Sequence, residues 1–182
     1  MKSLFKITGL ILAIALAFIS CDSHPSLQQY YVDSKENVEF MSVDLPASIL
    51  QLKDTEVSED VKTTLKTIKK VNFLALQISE TNKELFDSEK VKVKEILKNP
   101  KYKQLMRMNF GKGNVSVNYL GEEDAIDEVI IFGSDSEKGF ALVRVIGEKM
   151  NPSEILKIAQ EIKLDGGSGE FKQLEGLLSS LK

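Results

Sequence analysis

Residues 104–146, QLMRMNFGKGNVSVNYLGEEDAIDEVIIFGSDSEKGFALVRVI, decide the fold. Apolar and polar side chains alternate along four segments of this stretch, and glycine-containing turns separate the segments. Alternation with a period of two is typical of strands with one buried face, and short turns join antiparallel neighbours. We therefore predict an antiparallel meander of strands over 104–110, 115–119, 126–132 and 140–146.

The flanking segments add two strands and three helices. Residues 38–43 alternate and predict a first strand, whereas residues 71–78 are apolar on both alternating sets and predict a strand buried on both faces. Ser58 and Asn151 are typical helix N-caps, and residues 82–98 have an amphipathic helical spacing. Together these elements predict an α+β fold, a mostly antiparallel sheet of about five or six strands with helices packed on it.

The N-terminal residues predict export and lipidation. Lys2 and Lys6 precede an unbroken apolar run, residues 9–19, and this arrangement is typical of a secretory signal peptide. Ser20 and Cys21 then resemble the end of a bacterial lipobox, in which the signal is cut before a cysteine whose thiol carries a diacylglycerol. An ordinary signal peptide or an uncleaved anchor is the alternative.

Lipidation of Cys21 predicts both location and domain organisation. Cys21 is the only cysteine, so the lipidated chain would have no thiol for a disulfide, for catalysis or for a metal site. We expect a protein anchored to the membrane through lipid on Cys21, in the cell envelope and specifically at the outer membrane of a Gram-negative bacterium. The predicted parts are a signal peptide (1–20), a polar anchor and tether (21–37), one domain (38–164) and a C-terminal segment (165–182).

The C-terminal segment is a candidate contact with a partner. A glycine-rich break at 165–169 precedes apolar residues at helical spacing, which include Phe171, Leu174, Leu178 and Leu181. A helix this short is unstable alone and must dock on a surface. That surface is either the chain's own domain or an envelope protein partner; the few basic residues make the membrane surface a weaker third choice.

The order of these elements resembles one family, domain of unknown function 4252, a family of bacterial envelope lipoproteins. The resemblance covers roughly residues 38–163 and rests on the lipobox, the strand sequences and two short patterns. The residues of these patterns are Tyr102, Leu105, Met106 and Arg107, then Leu142, Arg144 and Gly147. The resemblance implies envelope location and fold, and it carries over no catalytic residues.

Composition excludes several classes of function. The chain has 24 basic and 27 acidic residues and no basic patch interleaved with aromatics, so we expect no nucleic-acid binding. Its single histidine, His24, lies in the predicted tether, away from the predicted domain. We therefore expect no catalytic triad, and a metal site built from two histidines is impossible. No phosphate-binding loop or zinc spacing is present, and we expect no cofactor and no metal.

The remaining candidate chemistry is carried by acids and arginines. The acids of two turns, Glu122, Glu123, Asp124, Asp127, Asp135 and Glu137, are either solvated turn residues or the carboxylates of a hydrolase. Arg107 and Arg144 are the only arginines, and both lie in predicted strands. If both face one side of the sheet, they could contact the carboxylate or phosphate of a ligand. The alternative is that each pairs with a neighbouring acid.

We therefore expect a lipid-anchored envelope lipoprotein whose soluble domain binds or scaffolds another molecule and is not an enzyme. Two alternatives remain open. One is a small-ligand or stress-sensing module that uses the two strand arginines. The other is a hydrolase of envelope polymers that uses carboxylates alone.

Overall fold

The computed structural model describes residues 25–46, 59–151 and 153–155 of the chain. Three helices lie in this part: α1 (Leu27–Lys35), α2 (Glu59–Thr67) and α3 (Lys83–Leu97). The strands are β1 (Phe40–Pro46), β2 (Ile68–Gln77), β3 (Lys103–Phe110), β4 (Gly113–Glu122), β5 (Ala125–Asp135) and β6 (Gly139–Met150).

The six strands form one antiparallel sheet in the order β1-β2-β6-β5-β4-β3. The last four strands form the predicted meander, because each pairs with the next along the chain. β2 pairs with β1 on one side and with β6 on the other, and residues 73–76 are buried, as its two-sided apolar pattern predicts. The edges of the sheet are therefore β1 and β3. The prediction of an antiparallel sheet is confirmed, and the described helices are few.

The sheet has two differently covered faces, which we name the helix face and the reverse face. On the helix face, α1 and α3 pack over the half formed by β2, β6 and β5. The buried residues of this packing include Leu27, Phe86, Val93, Ile96, Leu74, Leu76, Ile130, Phe132, Phe140 and Leu142. The reverse face has its own cluster, to which α2 contributes Leu65. Burial on both faces fixes the register, since a slip by one residue would exchange the two apolar sets.

Helix α1 corrects the predicted tether. The prediction of a polar anchor and tether over 21–37 is wrong over Leu27–Lys35, which is helical. Ser26 caps the helix, because its side chain accepts a hydrogen bond of 3.0 Å from the Gln29 amide. Leu27 and Tyr31 are buried against the sheet. The pattern is hard to detect because two of the four buried residues are tyrosines, which bury a ring and keep a polar hydroxyl.

Several other boundaries differ from prediction or lie outside the described residues. Ile68, predicted as the last apolar residue of a helix, begins β2 instead. The helix start at Asn151 is confirmed, because its carbonyl accepts hydrogen bonds from the amides of Glu154 and Ile155. The later residues of the predicted helix lie outside the described residues, as does the C-terminal segment.

Candidate functional site

The half of the helix face formed by β3 and β4 is polar. Cross-strand pairing places Arg107 opposite Ser116, Asn109 opposite Asn114, and Gln104 opposite Asn118. Directly opposite residues of an antiparallel pair share one face of the sheet. On the same face, the middle of β5 and β6 carries the apolar Ile130, Phe132, Phe140 and Leu142, so the sheet changes there from a mainly apolar to a polar surface between β5 and β4.

These polar residues form the floor of a groove, which we name the polar groove. Its walls include the C-terminal end of α3 and the loop that follows. The described lining residues are Lys94, Leu97, Lys98, Tyr102, Gln104, Arg107, Asn109, Asn114, Ser116, Asn118 and Phe132. The volume is about 520 Å³, and sites for small molecules typically have roughly 300–1,000 Å³.

The charge of the polar groove is positive and only partly neutralised. Lys98 pairs with Glu95 at 2.6 Å, whereas Lys94 and Arg107 form no ion pair with any described residue. Desolvation has the largest effect on the Lys94 ammonium and lowers its pKa, and the positive charges of Lys90, Arg107 and Lys98 lower the pKa further. No carboxylate, imidazole or thiol lines the described part of the groove. The groove therefore favours an anionic group near Lys94 and Arg107.

The floor of the polar groove also contains an unpaired buried polar atom. Asn118 is 6% exposed, and its side-chain oxygen accepts no hydrogen bond from the described residues. Ser134, which lies on the same face of the next strand, is buried with its hydroxyl likewise unpaired. Buried polar groups are nearly always hydrogen-bonded, so an unpaired one requires an explanation. The Asn118 side chain therefore has unused hydrogen-bonding capacity beside the groove.

Arg144 lies on the same face as Arg107 but has a different environment. Its guanidinium donates two hydrogen bonds to Glu128, of 2.7 and 2.5 Å, and one to the side-chain oxygen of Gln28. Desolvation alone would lower the pKa of Arg144, but the hydrogen bonds to Glu128 outweigh this effect and raise the pKa. The hydrogen bond from Arg144 to Gln28 therefore links α1 to the sheet.

The two arginines do not converge. The two arginines do lie on one face of the sheet, because Arg107 pairs with Ser116, Ser116 with Phe132 and Phe132 with Leu142, two residues before Arg144. β4 and β5 separate the two strands that carry the arginines, which puts them about 14 Å apart across the sheet. The alternative of pairing with an acid holds for Arg144 alone, and Arg107 remains the candidate ligand contact.

The carboxylates of the two acidic turns do not lie close together either. The β4–β5 turn carries Glu122, Glu123 and Asp124, and the β5–β6 turn carries Asp135 and Glu137. β5 runs between the two turns, and its length separates them by roughly 30 Å. Asp135 accepts hydrogen bonds from the amides of Glu137 and Lys138, an arrangement typical of turns.

A second, mainly apolar groove lies between α1 and α3. It has a volume of about 510 Å³ and is lined by Tyr30, Phe40, Val91 and Ile96, among others. The Tyr30 hydroxyl points into buried surroundings, and desolvation followed by the nearby charge of Glu89 raises its pKa.

The other sequence-predicted site residues lie outside the described residues. These are Cys21, His24, Phe171, Leu174, Leu178 and Leu181. In residues 25–46, 59–151 and 153–155, no group of three or more histidine, cysteine, aspartate or glutamate side chains could hold a metal ion. No helix in the same ranges has the length and apolar character needed to cross a membrane.

Sequence reasoning missed the polar groove, although a signal for it exists. Asn114, Ser116 and Asn118 alternate with valines and a tyrosine, and such residues normally indicate a solvent-facing side. Ser116 and Asn118 are instead buried. The contribution of Lys94 from α3 depends on how that helix crosses the sheet, which no local pattern specifies.

Comparisons with known proteins agree with the order of elements. The family model for a domain of unknown function, DUF4252, matches residues 30–158. The matched range includes α1 from Tyr30 onward, all six strands and the polar groove. No curated protein and no solved structure matches the chain. The chain belongs to the family of domain of unknown function 4252.

Proposed function

We propose that the protein is a lipid-anchored protein of the cell envelope whose domain binds another molecule and does not catalyse a reaction. The observation that carries the binding role is the polar groove, with the uncompensated charges of Lys94 and Arg107 and the unpaired oxygen of Asn118. The described lining consists of amides, two hydroxyl groups, cations and apolar groups. Such a set suits recognition by hydrogen bonds and charge.

The proposed anchor is lipid on Cys21, and the location is the outer membrane of a Gram-negative bacterium. The support comes from the signal-like residues 1–20 and from the position of Cys21 near the domain. Five residues, 22–26, separate Cys21 from Leu27, the first residue of α1. Six peptide steps can span at most about 20 Å. The domain would therefore lie close to the membrane surface, rather than at the end of a long tether.

Lipid labelling tests the anchor. Cells that express the full chain would be fed an alkyne-bearing fatty acid, and incorporation would be followed in the wild type and in Cys21→Ser. We expect label and membrane association in the wild type and loss of both in the variant. Equal label or equal membrane association in the two proteins would contradict the proposed anchor.

Cross-linking in intact cells tests the binding role. A photo-reactive residue at Gln104, which is exposed at the polar groove, should give a defined adduct that Arg107→Gln reduces. The same photo-reactive residue at Lys83, at the other end of α3, is the matched control and should not give that adduct. The same adduct from Gln104 and from Lys83, or an adduct that Arg107→Gln does not reduce, would contradict binding in the groove.

The C-terminal segment is a second candidate contact, with Phe171, Leu174, Leu178 and Leu181 as its proposed partner-facing residues. A chain that ends at Leu164 separates its role from that of the groove. Loss of an envelope protein partner on truncation, with the Gln104 adduct retained, would assign the segment a role of its own. Retention of the partner would exclude that role.

A further inference from the structure

We propose that the polar groove binds a phosphorylated polyol or sugar, with the phosphate near Arg107 and Lys94 and the hydroxyl groups against the side chains of β3 and β4. This inference rests on the proposed binding role of the groove and names the class of its ligand. Three properties of the groove support it: its charge, its hydrogen-bonding groups and its shape.

The charge fits a phosphate group. Arg107 rises from β3 and Lys94 comes from α3 above it, and neither forms an ion pair with a described residue. A phosphate monoester carries about −1.5 to −2 charges at neutral pH, which two cations can neutralise, and the phosphodiester of a phospholipid headgroup, with about one negative charge, can still bind between them. Arginine can also contact two phosphate oxygens at once. The effect of Arg107 on the pKa of Lys94 indicates that the two cations act on one region.

The floor fits hydroxyl groups. Gln104, Asn109, Asn114 and Asn118 offer side-chain amides, which both donate and accept hydrogen bonds. The side-chain oxygen of Asn118 has no hydrogen-bond partner among the described residues. The hydroxyl groups of a polyol both donate and accept hydrogen bonds, so they suit these amides.

The shape fits a ligand of several carbon atoms. The volume of about 520 Å³ exceeds the needs of a bare phosphate ion. Leu97, Tyr102 and Phe132 supply apolar surface in the same groove, against which the C–H groups of a polyol or sugar could pack. Such a ligand could be a free solute or the headgroup of a glycerophospholipid.

Titration of the full chain in detergent, followed by NMR of the side-chain amides of Asn114 and Asn118, tests the inference. The probes are glycerol phosphate as a free solute and dihexanoyl phosphatidylglycerol as a headgroup. We expect saturable shifts of both amides with at least one probe, and the responding probe identifies the source. Glycerol and inorganic phosphate should each bind at least about tenfold more weakly, because each supplies part of the contacts.

Two variants give the test its specificity. Arg107→Gln removes a charge from an exposed groove residue and should weaken binding by about tenfold or more. Lys83→Gln removes the same charge from an exposed ion pair with Asp87 at the far end of α3 and should leave the affinity unchanged. No saturable shift with either probe, or equal affinity in wild type and Arg107→Gln, overturns the inference. If the titration fails but the Gln104 adduct in cells still depends on Arg107, the proposed ligand class is wrong and the groove remains a binding site. If the adduct does not depend on Arg107 either, the groove is not the binding site.

Discussion

At the scale of single residues, the two arginines of the chain have opposite environments. Arg144 is buried and hydrogen-bonded to Glu128 and Gln28, whereas Arg107 is exposed in the polar groove without an ion pair to a described residue. Both were equivalent candidates in the sequence, because strand position alone says nothing about the neighbours on adjacent strands. The pairing of Arg144 depends on the register of β5 against β6 and on the placement of α1.

Removing one partner of the buried pair should destabilise the protein strongly. Arg144→Met leaves the largely buried Glu128 carboxylate, which is 13% exposed, without its cation, and breaking such a pair costs up to about 3–5 kcal/mol. Arg107→Gln, which removes a charge from an exposed position, should change the free energy of unfolding by less than about 0.5 kcal/mol. Urea unfolding of both variants measures the contrast. Equal effects would mean that the different burial of the two arginines has no energetic consequence.

The Asp44 carboxylate should make stability depend on pH at the acidic end. Desolvation alone would raise its pKa, but hydrogen bonds from Lys35, Asn72 and Lys70 outweigh it and hold the pKa below the ordinary value of 3.8. A depressed folded-state pKa stabilises the fold above the unfolded-state value, and this contribution is lost as the pH falls through the folded-state value.

We therefore expect urea midpoints to fall between pH about 5 and about 3, and to fall less steeply in Asp44→Asn. The control is Glu123→Gln, which changes an exposed acid in the β4–β5 turn and should keep the wild-type slope. A slope in Asp44→Asn as steep as that of the wild type would show that other groups cause the dependence.

At the scale of elements, α1 shows where sequence reasoning succeeds and where it fails. The meander strands and α3 follow from strong local periods, of two and of about 3.6 residues. In α1 the buried residues Leu27, Tyr30, Tyr31 and Ser34 are a mixed set with a weak apolar signal. Its stability comes from the sheet below, where the Tyr31 hydroxyl donates a hydrogen bond of 2.8 Å to the Leu142 carbonyl.

Substitutions in α1 test whether it is part of the domain. Leu27 has no exposed surface, so Leu27→Ala should cost about 3 kcal/mol of folding free energy through lost burial and a cavity. Val32 on the same helix is 45% exposed, and Val32→Ala should cost less than about 0.5 kcal/mol. Chemical denaturation measures both. A neutral Leu27→Ala would indicate that the segment is a tether after all.

The turn at Gly139 should be the least tolerant of the meander turns. Its φ is +121°, and an added Cβ would lie 2.1 Å from the Leu76 carbonyl oxygen on β2. Gly139→Ala should therefore destabilise the fold by about 3 kcal/mol or more. Gly111 also has a positive φ, +51°, but a Cβ there would meet nothing within 4 Å, and Gly111→Ala should cost only about 1 kcal/mol.

Thermal unfolding of Gly139→Ala and Gly111→Ala separates two costs: the cost of a positive φ for alanine and the cost of the steric clash with β2. If both lose the same stability, the close approach of β2 to Gly139 contributes nothing beyond the backbone conformation. A larger loss at Gly139 is the expected result, because there the strand-to-strand contact adds to the conformational cost.

At the scale of the whole molecule, the sheet divides the helix face into a covered apolar half and an open polar half. The apolar half and the antiparallel order could be predicted, because buried residues and turns leave local patterns in the sequence. The groove could not, since it combines the end of α3 with side chains from β3, β4 and β5. From the sequence alone, its polar floor residues are predicted to face solvent, because the position of α3 is not known.

The central claim is that the polar groove holds a ligand through Arg107 while lipid holds the protein at the membrane. Native mass spectrometry of the protein isolated from its own membrane tests this claim most directly. We predict that the wild type carries a non-covalent adduct, that Arg107→Gln loses it and that Lys83→Gln keeps it. A wild type without any adduct, or the same adduct in all three proteins, would contradict the claim.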